Sequence, residues 1–80
     1  MEIKILAFGI ARDIVGQSNF EFSVKESTTV GELKEALIKK YPNFEKLRSL
    51  AIAVNSDYAS DDQVVGLGDE IVIIPPVSGG

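Results

Sequence analysis

Glu70-Ile71-Val72-Ile73-Ile74-Pro75-Pro76-Val77-Ser78-Gly79-Gly80 is the stretch around which the chain is organised. Ile71 to Ile74 is a short apolar run rich in β-branched residues and reads as a buried strand. Pro75-Pro76 must end it, because proline brings no N–H to a ladder and restricts the residue before it. The six residues from Pro75 to Gly80 then read as a stiff post with a thin, flexible tip. Gly79 and Gly80 have no side chains, so the α-carboxylate of Gly80 is the accessible group of that tip. Fully extended, residues 75–80 reach roughly 20 Å, enough to enter a pocket on another protein. The expected division is therefore a domain over 1–74 and a tail over 75–80.

Working back from this strand, Gly66-Leu67-Gly68-Asp69 is a tight turn that launches it. Ala51 to Asn55 reads as a strand, Asn55-Ser56-Asp57 as a turn, and Tyr58-Ala59-Ser60 as a short edge strand. Asp61 to Val65 is connection. Residues 2–8 alternate, with Ile3, Ile5 and Ala7 on one face and Glu2, Lys4, Leu6 and Phe8 on the other. Phe20 to Val24 alternates too, with Phe20, Phe22 and Val24 inward. Between these strands, Ile10, Ile14 and Val15 have a helical offset, so a short helical turn ending at Gly16 is expected.

Thr29-Val30-Gly31-Glu32 is a capping-box pattern. Val30, Leu33, Leu37 and Tyr41 continue it at helical spacing, widened by Ala36 and Ile38, and Pro42 ends it. Lys34, Glu35, Lys39 and Lys40 fall on the solvent side. Phe44, Leu47 and Leu50 indicate a second short helical piece over 43–50.

One long amphipathic helix among several strands implies an α+β fold: a single mixed sheet with one main helix across one face. The other face is then left partly open, and apolar residues on it need a reason. Leu6 and Phe8 fall there, as do Val72 and Ile74, which are in phase with Glu70. If the first and last strands are neighbours, Phe8, Val72 and Ile74 form an apolar patch at the root of the tail, bordered by Tyr58.

The composition narrows the chemistry. Eighty residues hold one core. The net charge of −4 argues against a nucleic-acid partner. There is no Cys and no His, so there is no thiolate nucleophile, no cysteine zinc site and no imidazole base. No apolar run approaches the length of a membrane span and the N-terminus lacks a signal pattern, so a cytoplasmic protein is expected. Asp61-Asp62 lacks the further ligands a metal site needs and reads as a solvated loop. Asn55 reads as a turn residue, and Lys34, Lys39 and Lys40 as helix surface.

The strand–strand–helix–strand–strand–strand order with a Gly-Gly end resembles the β-grasp (ubiquitin-like) proteins. More closely, the chain resembles the sulfur-carrier small subunits of molybdopterin synthase. Ala11-Arg12-Asp13-Ile14-Val15-Gly16, Ala53-Val54-Asn55, Gly68-Asp69-Glu70 and above all Pro75-Pro76-Val77-Ser78-Gly79-Gly80 carry that resemblance, which spans essentially the whole chain. It implies that a ubiquitin-activator-like enzyme uses ATP to adenylate Gly80, and that a sulfur donor converts the adenylate to a thiocarboxylate. The tail then enters the synthase large subunit and gives its sulfur to a pterin precursor, on the way to the dithiolene that binds molybdenum. On this reading the chain is a non-catalytic subunit, hetero-oligomeric when active, with no permanently bound cofactor. Pro75, Pro76, Val77, Ser78 and Gly79 thread the channel, while Phe8, Val72, Ile74, Tyr58 and Arg12 are the docking candidates. Arg12 also has the plainer reading of a solvated loop charge. Two alternatives share the tail: a sulfur carrier for thiamine or tRNA thiolation, and a ubiquitin-like modifier joined to lysine through Gly80.

Overall fold

The computed structural model describes residues 1–46 and 50–74. The tail from Pro75 to Gly80, and Leu47 of the expected second helical piece, lie outside the described residues.

Thr29 begins the main helix as its sequence dictates. Its hydroxyl accepts from the Glu32 N–H at 3.2 Å, and the Glu32 carboxylate accepts from the Thr29 N–H at 2.9 Å. This holds two of the amide groups that a helix start leaves without partners. This helix, α2, runs Val30–Lys40, and a shorter one, α1 (Gly9–Val15), precedes it in the chain. Val30, Leu33 and Leu37 are fully buried, and Ala36, Ile38 and Tyr41 pack at the margin. Pro42 stops α2, and Pro42–Lys46 tightens into a 3-10 turn that buries Phe44. The second helical piece is thus tighter than its spacing predicts and begins one residue earlier.

Five strands form one sheet: β1 (Glu2–Ala7), β2 (Asn19–Ser23), β3 (Ala51–Val54), β4 (Asp57–Tyr58) and β5 (Glu70–Ile74), in the order β2-β1-β5-β3-β4. β1 and β5 run parallel at the centre, and the other pairs are antiparallel. A parallel pair needs a long crossover, and the segment carrying α2 supplies it. α2 lies on the face formed by Ile3, Ile5, Phe20, Phe22, Ile52, Val54, Ile71 and Ile73, all buried. Phe20, Tyr41 and Phe44 close one side of that core through edge-to-face contacts at 6.2 and 6.1 Å. This is the β-grasp arrangement, with a mixed sheet as expected.

The structure corrects several boundaries. β1 ends at Ala7, not Phe8, because Gly9 takes φ +57 and the chain turns into the seven residues of α1. Only a short turn was expected there. Ala11 fills the core while Ile10 stays exposed, so the alanine and not the isoleucine is the anchor. Gly16, at φ +91, ends α1 as predicted. β3 stops at Val54 because Asn55 adopts φ +53, and β4 is Asp57–Tyr58, not 58–60. Lys34 is not free helix surface: its Nζ pairs with Asp61 Oδ1 at 2.8 Å, which also gives that loop acid a partner.

Candidate functional site

Alternation along each strand sends every second residue away from α2. On that open face the register aligns Leu6 with Val72, Val72 with Ala53, and Ala53 with Tyr58. One apolar row therefore crosses four strands. The next row places Ile74 beside Ala51. Leu6, Val72, Ile74 and Ala51 are half-buried, whereas Tyr58 is 74% exposed. Ala51 and Ala53 are the shallow middle, between Tyr58 on one side and Val72 and Ile74 on the other. The two alanines were missed as site residues. Their signal was available, because Ala51-Ile52-Ala53-Val54 alternates small and large and only the large residues face α2.

Because β1 and β5 are parallel, both leave the sheet at the same end. Phe8, still extended at φ −129 and ψ 159 and 56% exposed, follows β1 there. The chain beyond Ile74 leaves β5 at that same end. Of the residues expected in the patch, Val72 and Ile74 lie on the open face of β5, Tyr58 stands in the row through Val72, and Phe8 follows β1 at the end of the sheet where β5 finishes. Arg12 sits on α1, exposed, and joins no ion pair among the described residues. Gly80, Gly79, Ser78, Val77, Pro76 and Pro75, the tail candidates, lie outside the described residues.

The opposite half of the open face is polar. Lys4 stands between Glu21 of β2 and Glu70 of β5, and Glu2 faces Ser23. The face is therefore split along the strands, charged where β1 and β5 begin and apolar where they end.

A clasp between two turns holds this split in place. Asn55 Nδ2 donates to Asp69 Oδ1 at 3.0 Å, and Asn55 Oδ1 accepts from the Glu70 N–H at 3.0 Å. The Asn55 N–H donates to the Glu70 carbonyl at 2.8 Å, and Asp69 Oδ2 accepts from the Gly66 N–H at 2.8 Å. Gly68, at φ +91, makes the turn before β5 possible. The clasp fixes the first residue of β5, and with it which side chains face outward. A one-residue slip would exchange Val72 and Ile74 for Ile71 and Ile73.

The tail end of the face is apolar and aromatic, so its capacity is for binding. Among the described residues, no group of three or more His, Cys, Asp or Glu side chains could hold a metal ion. No described helix is long and apolar enough to cross a membrane. Glu32 has its carboxyl pushed below the usual range, mainly by the hydrogen bond from the Thr29 amide, and it belongs to the helix cap.

The model of the ThiS family matches residues 5–80. The chain belongs to the ThiS family. A relative from Arabidopsis thaliana, named molybdopterin synthase sulfur carrier subunit, is 36% identical over 81 residues that cover 100% of this chain and 84% of that protein. A Mycobacterium tuberculosis protein of the same name is 34% identical, covering 100% of this chain and 99% of its own. Among solved structures, a putative molybdopterin converting factor subunit 1 from Pyrococcus furiosus superposes with a TM-score of 0.85 at 27% identity, covering 96% of this chain and 99% of that one. A chain from a Helicobacter pylori complex of subunits 1 and 2 of molybdopterin-converting factor matches with a TM-score of 0.66 at 28% identity, covering both chains completely.

Proposed function

We propose that this chain is the sulfur-carrier subunit of a molybdopterin synthase, acting in the cytoplasm as a carried substrate arm. The observation that carries this reading is the whole-chain relation to proteins of that name. The apolar row at the end of β5 supports it, since it supplies a docking surface where a tail over 75–80 would begin.

The chemistry belongs to the Gly80 carboxylate. On an adenylating enzyme, one carboxylate oxygen attacks the α-phosphorus of ATP and pyrophosphate leaves. A sulfur nucleophile at the sulfide level then attacks the acyl carbon, and AMP departs with that oxygen. The product is a thiocarboxylate, which hands its sulfur to a pterin precursor in the large subunit. Water restores the carboxylate. The sulfur rides on the Gly80 carboxyl carbon because the chain has no cysteine to hold it. Ordering the tail in a channel costs about 1–2 kcal/mol per residue, which the two prolines reduce and docking through Phe8, Val72, Ile74 and Tyr58 offsets. The subunit 1–subunit 2 complex from Helicobacter pylori supports a large-subunit partner of this kind.

The test is intact-mass analysis after incubation with the activating enzyme, ATP and sulfide. The expected result is a gain equal to the exchange of one oxygen for sulfur, lost on deletion of Gly80. No gain, or one that survives the deletion, overturns the reading.

A further inference from the structure

The outer edge of β2 has a geometry that the tail chemistry does not use. β2 is the last strand on its side of the sheet and pairs only with β1 among the described residues. Backbone bonds join Met1 with Val24 and Ala7 with Ser18 at the two ends of this pairing. Hydrogen-bonded pairs alternate along an antiparallel ladder, so Phe22 and Phe20 also turn their N–H and C=O groups toward β1. The N–H and C=O groups of Asn19, Glu21 and Ser23 therefore point outward, along a free edge.

Beside this edge runs a groove between β2 and α2. The stripe of α2 nearest β2 is Glu32, Ala36 and Lys40. Glu32 is held by the cap, and Lys40 Nζ lies 5.5 Å from the centre of the Phe22 ring. Ala36, the smallest of the three, leaves a depression lined by Val24, Lys25, Thr28 and Glu32. A free edge beside an apolar depression has the two parts of strand addition: main-chain pairing along the edge and a pocket for alternate side chains.

Charge selects the occupant. A second copy pairing antiparallel about the middle of β2 would set Glu21 directly opposite its own counterpart, a like-charge pair that is destabilising across strands. A partner strand with a cation opposite Glu21 has the reverse effect. We propose that the β2 edge takes an extended segment of another protein as a sixth strand. That segment presents apolar residues at alternate positions toward Ala36 and Val24, and a lysine or arginine between them toward Glu21. This site lies two strands from β5 and does not depend on the chemistry assigned to Gly80.

The probe is a synthetic peptide of alternating valine and lysine, blocked at both ends, titrated into the full chain and followed by amide shifts and hydrogen exchange. The expected result is slowed exchange at Asn19, Glu21 and Ser23, with a valine–glutamate peptide binding more weakly. Glu21→Lys, a substitution at an exposed position, should weaken the valine–lysine peptide by about fivefold, the upper end of a cross-strand charge pair. Ala36→Gln, which fills the depression, should weaken both peptides. Three outcomes overturn the proposal: equal binding of the two peptides, shifts confined to Leu6, Val72 and Tyr58, or no binding. Protection of the edge that appears with protein concentration alone also overturns it, since the occupant would then be a second copy.

Discussion

Ile71 and Ile73 on one side of β5, and Val72 and Ile74 on the other, are neighbours in sequence and nearly the same in chemistry. The first two are shut off from solvent beneath α2, and the second two are half-exposed on the open face. The difference arises from the pleat and from the single cover that one main helix can give. An apolar side chain that α2 covers holds the fold together. One that α2 does not cover keeps part of its surface in water.

The strongest way to break this contrast is to truncate adjacent residues of β5. Ile73→Ala should cost about 2–5 kcal/mol in denaturant unfolding, as for a fully packed core position. Ile74→Ala should cost about 1 kcal/mol, because part of its surface already meets water. Equal losses would mean that both faces are core and that the open face has no separate role.

The next test moves from folding to binding. Phe8→Ala and Tyr58→Ala remove the two most exposed aromatic residues at the tail end of the molecule. Each should weaken binding to a synthase large subunit by about 2 kcal/mol, the scale of an aromatic anchor. Unfolding free energy should stay within about 0.5 kcal/mol of wild type, as at other exposed positions. Calorimetric titration beside thermal unfolding separates the two quantities. Variants that lose stability and not affinity would return both residues to a purely structural role.

The contrast was largely legible in the sequence. The alternation in Ile3-Lys4-Ile5-Leu6-Ala7 and in Glu70-Ile71-Val72-Ile73-Ile74 is a local property, and the capping box at Thr29 names the helix that provides the cover. Pairing between distant turns was not legible. Asn55 and Asp69 each read correctly as turn residues, yet nothing local says that they meet, because their contact depends on β3 lying beside β5. Lys34 and Asp61 are a second case: each looks solvated alone, and only the fold brings them to 2.8 Å. α1 was read too short because Phe8 offers no side-chain cap, the first turn has no acid, and Ala11, its buried anchor, is too small to mark a periodic stripe. The tail was read from proline and glycine chemistry, and the role proposed for its Gly80 carboxylate rests on the thiocarboxylate experiment.

The Asn55 clasp allows a finer test, since it sets which residues of β5 face outward. Asn55→Ala loses the side-chain bonds to Asp69 and Glu70 and places a β-carbon where φ is +53. A loss of about 1–2 kcal/mol is expected. Asn55→Gly loses the same bonds but accepts the backbone angle, so its loss should be smaller. Equal losses would show that hydrogen bonding alone holds the turn. In both variants, hydrogen exchange at Glu70 should rise before exchange at Ile73, because the clasp grips only the start of the strand.

The smallest expected effect concerns the cover itself. Thr29→Ala removes the hydroxyl that caps α2 and should cost about 1 kcal/mol at neutral pH. The partner in that cap, Glu32, has its carboxyl lowered in the folded chain, first by the Thr29 amide and then by the Thr29 hydroxyl. A depressed acid stabilises the fold above its unfolded pKa, and that contribution fades as pH falls through the folded value. The wild type should therefore lose part of its cap on acidification. The variant, whose Glu32 keeps the amide but not the hydroxyl, has less to lose. The gap between the two chains should narrow from neutral pH into the acid range, as read from unfolding midpoints across a pH series. A gap that stays constant would show that the threonine hydroxyl caps the helix without help from the ionised glutamate.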